Sequence, residues 1–583
     1  MNGQNLMSTE QSQDTLASDP VDQPQAVNRW SSDLWPMLVI AIVWLLAVVI
    51  VDPCGNFPLN DDWCYARAVE VLLNQHTLRF VYVITMTLVA QVIWGALFCS
   101  LFGMSFTTLR ISTLTLGLAG LLVTYKFLRE VGVSRRVALI GCLVIAVNPI
   151  YFSLSNTFMT DVPFFAFAML SLLFYARALK HGELMPIVYG TLLACIATLT
   201  RQIGVILPLA FAPAYLVGHG LRGRSILRSL TPVVIVSGTL VLYQTWLTST
   251  GRMPLYYSQQ AKTAMSIFRM DPGVLTGTLM KVLEVVLVYI GVFLLPFLIL
   301  ALPARSAGMS KRQWAATLGC AGVFCLILSN SLISSGKCMP LKEAPGDIII
   351  DLGIGPATLP DVFNMYLPNY PAAPPLFWRI VTVMGVVGAS LLVWHVLAAV
   401  VSAFRRRADA ASDNRALLVM MVVLSCLYLA PDLPLSQSFY YDRYFLLFVP
   451  ILMIVAGLNI RAPLRLKRIP IAVSMVVVLL YAVFTVGATH DYLEWNRVRW
   501  KAADDLMRTR HVPSNRIDGG TEFNGWMNYT HDFKGEWWEA TTRDYMITFG
   551  PVAEYDEVAR YSYRRWMLPG EGQVLILKQL YVP

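Results

Sequence analysis

The sequence predicts an all-α polytopic membrane protein with a small α/β C-terminal domain, and three observations predict it. Of the 583 residues, 56% are hydrophobic and only 14% are charged, where a soluble domain carries about 25% charged residues. Apolar runs such as 36–51 and 111–125 hold almost no charge and recur along most of the chain, as helices crossing a bilayer must. Beyond residue 490 the runs stop and the chain turns polar and rich in Trp. The net charge of +9 reads as Lys and Arg in cytoplasmic loops and not as a nucleic-acid surface.

The elements follow in order. Residues 1–35 are rich in Gln, Ser and Asp and lack apolar periodicity, so a disordered cytoplasmic tail is expected. No basic n-region or small-residue cleavage site accompanies the first apolar run, which is therefore expected to stay as a helix. Hydropathy marks fourteen segments within 36–489, near 36–51, 80–102, 108–127, 137–152, 162–179, 184–199, 203–218, 229–249, 277–302, 315–334, 376–403, 415–431, 443–460 and 470–489. Six loops (126–136, 177–181, 219–228, 303–314, 404–415 and 461–469) hold 20 of the 45 Lys and Arg. They share one side only if 80–102 does not cross, so about 13 crossings are expected, with 80–102 re-entrant or interfacial. Loops 52–107, 153–161, 250–276, 335–375 and 432–442 then lie outside, together with the domain 490–583. In that domain 496–511 reads as a helix and 572–582 as a strand. The nine Cys lack CxxC spacing; a Cys54–Cys64 disulfide is left open, since spacing alone does not decide it.

Chemistry concentrates at a few positions. In NFPLNDDWCYARAVEVLL (56–73), Asn60 or Asp61 suits a helix N-cap. Capping accounts for one polar residue and leaves the second carboxylate unexplained. Adjacent helical residues do not face each other, so Asp61 and Asp62 are expected to have different jobs. Asp161 opens a very apolar helix and suits either a cap or a functional acid at the bilayer edge. Arg201, Arg443 and Arg110 stand at predicted helix ends. Each could snorkel to the interface or grip a phosphate through its planar donor fork. Trp63, Tyr256, Tyr257, Tyr440 and Tyr441 suit an interfacial belt or stacking on a sugar. The stretch IDGGTEFNGWMNYT (517–530) reads as an acceptor-holding segment or as a turn-rich surface.

The run Asp61-Asp62-Trp63-Cys64-Tyr65 after the first helix resembles the D-E-x-x-Y signature of C-type integral membrane glycosyltransferases (GT-C), in the aminoarabinose transferase and protein O-mannosyltransferase group. The order of features is similar too. FGMSFTTLRISTLTLGLAGLLVTYKFLREVGVSRR resembles the family's second helix with its basic turn, NPIYFSLSNTFMTDVPFF places Asp161 at its second acidic position, and RYFLLFVP resembles a later helix start. The resemblance covers roughly residues 36–460, with Asp62 in place of the more usual Glu and only part of the later Pro pattern.

The resemblance implies transfer of a sugar from a polyprenyl-phosphate-linked donor to a hydroxyl of a glycolipid or protein acceptor. The reaction would run at the outer face of the cell inner membrane, with inversion. It implies Asp61, Asp62 and Asp161 as the catalytic acids, Asp61 being first choice as general base. Arg201 and Arg443 would receive the leaving phosphate, and Arg110, Tyr65 and Tyr441 would join the substrate-binding set. No cofactor is certain; a divalent metal is left open, and the lack of His in these stretches speaks against it. The competing class is a transporter or flippase of a lipid-linked or anionic substrate. It would want charge at the bilayer midplane, where Glu284 and His395 are the notable candidates.

Overall fold

The computed structural model describes residues 27–300, 310–341, 348–349, 373–405, 412–435, 441–459, 468–530, 541–567 and 570–580. The expectations for residues 1–26, most of loop 335–375 and Tyr440 lie outside these residues. The chain is helical with one small sheet, as predicted.

Helix α1 (Val27–Val51) starts inside the stretch expected to be tail. Asp33 explains the extension: it is buried and accepts from Tyr125 Oη (2.9 Å) and Arg129 Nε (3.2 Å), which pins the first turns of the helix. α2 (Asp62–Gln75) follows a short loop. α3 (Val89–Phe102) has 14 residues. At 1.5 Å per residue it reaches about 21 Å, short of a bilayer core of about 30 Å. α4 (Phe106–Glu130) is capped by Ser105, whose Oγ accepts from Thr108 N at 3.0 Å. α5 (Arg135–Ala146) and α6 (Pro149–Ser155) meet at 63°. Asn148 makes that corner by accepting the amides of Ile150 and Tyr151.

α7 (Asp161–His181), α8 (Leu184–Thr200), α9 (Ile206–His219), α10 (Gly223–Ser249) and α11 (Leu255–Met265) form the next group. α12 (Pro272–Ile299), α13 (Lys311–Ser334), α14 (Pro375–Arg405), α15 (Ser412–Leu429), the single turn α16 (Asp432–Leu435) and α17 (Phe448–Asn459) complete the apolar body. Among the described residues ten helices are long and apolar enough to cross a membrane, or eleven counting the bent pair. The other expected crossings fall on α8 and α17, which are shorter. α12 and α14 approach backbone to backbone: a Cβ at Gly388 would overlap the Gly291 carbonyl, and one at Gly291 would overlap that of Gly385. Small residues allow such close contact between apolar helices.

α18 (Arg468–Asp504) has 37 residues, about 55 Å of helix. It outruns a bilayer and carries the C-terminal domain on its far end. There α19 (Thr521–Asn528) packs beside a sheet of order β1-β2-β4-β3, with β1 (Ile517–Asp518), β2 (Tyr545–Thr548), β3 (Tyr555–Arg565) and β4 (Gly570–Gln579). β1 pairs parallel with β2, and the other pairs are antiparallel. Asp491 of α18 accepts the amides of Trp566 and Met567, both at 2.8 Å, and His490 stacks on Trp566 at 3.6 Å. The turn after β3 is thereby fixed to the long helix.

Candidate active site

The two adjacent acids do different things. Asp62 is 1% exposed. Its Oδ1 accepts from Leu59 N (2.6 Å) and its Oδ2 from Phe158 N (3.2 Å), which ties the turn before α2 to the loop before α7. Asp61 stands at the N-cap position of α2 with no side-chain capping bond. Its side chain is 48% accessible and faces Arg443, with Oδ2 3.8 Å from Nη2. The protein packed around it pushes the Asp61 carboxyl above the usual carboxylate range, Arg443 opposes the shift, and Glu522 and Asp161 add to it.

Asp161 opens α7 and also makes no capping bond, since Thr160 holds the cap position. It forms an ion pair with Arg201, and both are buried. Arg201 ends α8, and the chain then folds tightly back: a Cβ at Gly204 would lie 2.6 Å from the Thr198 amide nitrogen. Arg443 sits in the turn Asp442–Phe445 that leads into α17. The Asp442 carboxylate accepts the amides of Ile348 (3.0 Å) and Ile349 (2.9 Å) and steadies that turn. Arg201 and Arg443 both lie over the Tyr444 ring, at 5.1 and 6.0 Å, and Arg443 lies 4.2 Å over Tyr441. Tyr65 donates to Met86 Sδ at 3.3 Å and feels the charges of Asp61, Arg443 and Asp161. Asp61, Asp161, Arg201, Arg443, Tyr65 and Tyr441, chosen from the sequence, thus gather around Tyr444.

Arg110 goes elsewhere. It is 1% exposed and donates to the carbonyls of Pro53, Gly55 and Phe57, so it fastens the loop after α1. Cys54 and Cys64 are both free thiols, with Cys64 Sγ donating to Asp61 O at 2.9 Å. Trp63 packs edge-on against Tyr529 and Tyr256 against Tyr82, so these two rings are held in the fold. Glu284 accepts from Ser331 Oγ (3.0 Å), and His395 is buried beside Trp394. Among the described residues no group of three or more His, Cys, Asp or Glu gathers to hold a metal.

A cavity of about 490 Å³ is lined by Arg201, Gln202, Gln244, Gln260 and Tyr444 together with apolar residues such as Met86 and Leu240. It sets a guanidinium among mostly apolar walls, which suits an amphiphile with an anionic head.

Residues 81–248 match the family model described as dolichyl-phosphate-mannose-protein mannosyltransferase. This is the group whose motif order the sequence resembles. No curated protein matches the chain. Among solved structures, the crystal structure of ArnT from Cupriavidus metallidurans bound to undecaprenyl phosphate is similar, with 14% identity, TM-score 0.41, 95% of this chain and 100% of that chain covered. The S. cerevisiae protein O-mannosyltransferase Pmt1–Pmt2 complex bound to the sugar donor shares 15% identity at TM-score 0.29, covering 38% of this chain and 34% of that one. Arabinosyltransferase EmbB from Mycobacterium smegmatis shares 13% identity at TM-score 0.31, covering 84% of this chain and 44% of that one. The chain thus spans about a third of the length of the yeast protein's chain and less than half of EmbB's.

Sequence reasoning missed several residues that build the site. Tyr444 lay within the quoted RYFLLFVP but was not singled out. The sequence offers Asn60 only as a cap, Glu522 within the acceptor-holding or turn-rich stretch 517–530, and Arg499 only as part of a polar domain. The mixture of Gly, acid, Asn and Trp in IDGGTEFNGWMNYT was the one signal for Glu522.

Proposed function

We propose that the protein is a membrane glycosyltransferase that moves a sugar from a polyprenyl-phosphate-linked donor to an acceptor hydroxyl at the outer membrane face, in a single inverting displacement. The observation that carries this reading is the mostly apolar cavity lined by Arg201 and Tyr444, with Arg443 beside the same tyrosine and the accessible Asp61 facing Arg443. A lipid chain would lie along Met86, Leu240 and Tyr428, with its phosphate toward Arg201 and Arg443. As the anomeric bond breaks, negative charge grows on that phosphate, and two fixed guanidinium groups stabilise it where little water competes. Asp61 takes the proton from the attacking hydroxyl. Asp161 holds Arg201 through their ion pair and balances its charge. Asp62 and Arg110 act one step back, by fixing the turn that presents Asp61.

Single displacement needs one base, in contrast to the acid–nucleophile pair of retaining glycosidases. For the transporter reading, Glu284 would have to act in ion coupling, and its bond to Ser331 supplies a structural use instead.

Glycolipids and glycoproteins from cells with and without the gene are compared by mass spectrometry. The expected result is loss of one sugar from one envelope component, restored by the wild-type gene but not by Asp61→Asn or Asp161→Asn protein that still inserts. Normal activity in both variants would sink the assignment.

A further inference from the structure

We infer that the C-terminal domain completes the reaction centre, with Glu522 as a positioning residue that holds Asn60 and, through it, Asp61. The inference rests on the role proposed above for Asp61. Asn60 has φ +57°, a left-handed conformation that asparagine tolerates better than most residues other than glycine. Two side chains from the C-terminal part hold it in place. Asn60 N donates to Glu522 Oε1 at 3.2 Å, and Tyr492 Oη donates to Asn60 Oδ1 at 3.1 Å.

Glu522 is itself fixed, because its Oε2 accepts from Arg499 Nη2 at 2.9 Å, with both side chains nearly fully buried. Burying such a pair is expensive unless the remaining lone pairs are satisfied, and the Asn60 amide satisfies one here. The docking around it is close. Arg67 of α2 lies 4.2 Å over Trp526 and donates to its carbonyl at 2.6 Å. A Cβ at Gly525 would lie 2.5 Å from Trp63. The turn before α2 is thus clamped from one side by Glu522 and from the other by Asp62, leaving Asp61 facing Arg443. Arg443, Glu522 and Asp161 are the charged groups that face Asp61. Glu522 therefore has a second effect: its negative charge makes Asp61 harder to ionise.

The test uses the purified full chain for hydrogen exchange of the 57–62 peptide, and isolated membranes, with their native donor and acceptor, for transfer across pH. Glu522→Ala should speed exchange at least about tenfold, as expected for losing hydrogen bonds to a charged group, and should lower kcat more than it raises KM. Glu522→Gln keeps one acceptor oxygen but turns an –NH₂ toward either the Asn60 amide or Arg499, so exchange should rise less than in Glu522→Ala while loss of the charge moves the acid limb of the transfer profile to lower pH. Tyr492→Phe loses only a hydroxyl and should speed exchange in the same peptide. If Glu522→Ala does not fold, the other two variants decide. Wild-type exchange in Tyr492→Phe, or an unmoved acid limb in Glu522→Gln, overturns the inference. Asp61→Asn is run alongside: full transfer there overturns the role given to Asp61, whereas loss of transfer there with a failed Glu522 series overturns only the clamp.

Discussion

Asp62 accepts the amides of Leu59 and Phe158, and an asparagine there would turn its –NH₂ toward one of those N–H groups. Leaving a buried donor unmatched costs roughly 1–3 kcal/mol. Asp62→Asn should therefore lower Tm in a fluorimetric melt, and an unchanged Tm would remove its structural role. For Asp61 the expectation concerns protonation. A general base works ionised, and its carboxyl titrates above the usual range, so transfer should fall away with acid at a higher pH than an ordinary carboxylate would give. The pH dependence of kcat/KM in isolated membranes checks this. The sequence announced a division of labour within the pair, because neighbours on a helix point apart. It did not announce the division itself. Asp62 finds one of its two amide partners 96 residues away, and Asn60 finds Glu522 462 residues away. Spacing along a chain carries no trace of such contacts, so the sequence offers capping and catalysis side by side for Asp61 and Asp161 without the partners that separate them.

At the level of elements, the apolar segments were legible because a bilayer demands length and hydrophobicity together, and the thirteen expected crossings all fall on helices. Helix partners were not legible, since lipid-facing and helix-facing apolar residues look alike in composition. The α12–α14 contact shows the difference. It depends on Gly291, Gly385 and Gly388 lying against one another's backbones. Gly388→Val should force the two helices apart and lower the yield of folded protein in detergent, while Gly322→Val on α13, where a Cβ meets nothing within 4 Å, should not. Size-exclusion profiles of the two variants give the comparison. The start of α1 was missed for a related reason: Asp33 reads as tail polarity until Tyr125 and Arg129 are seen to hold it.

For the whole molecule, the proposed orientation places the DD turn, the Asp161 loop and the C-terminal domain on the outer side. Their mutual contacts through Asp62, Asn60 and Glu522 require them to share a side. Membrane-impermeant maleimide should reach a cysteine placed at residue 520 after brief local opening, and should not reach one at residue 406; the reverse pattern would invert the topology. The C-terminal strand and helix were visible in the sequence from their periodicity, but the attachment of that domain to the turn beside Asp61 was not, because a buried Arg499–Glu522 pair looks like surface charge when read in one dimension.

On the proposed reaction, the two guanidiniums beside Tyr444 also bear on turnover. The donor's phosphate is a diester with a single charge, and the carrier it leaves is a monoester whose charge approaches two near neutral pH. Arg201 and Arg443 then grip the discharged carrier more tightly than the loaded one. Free polyprenyl phosphate should therefore compete with the donor that produced it.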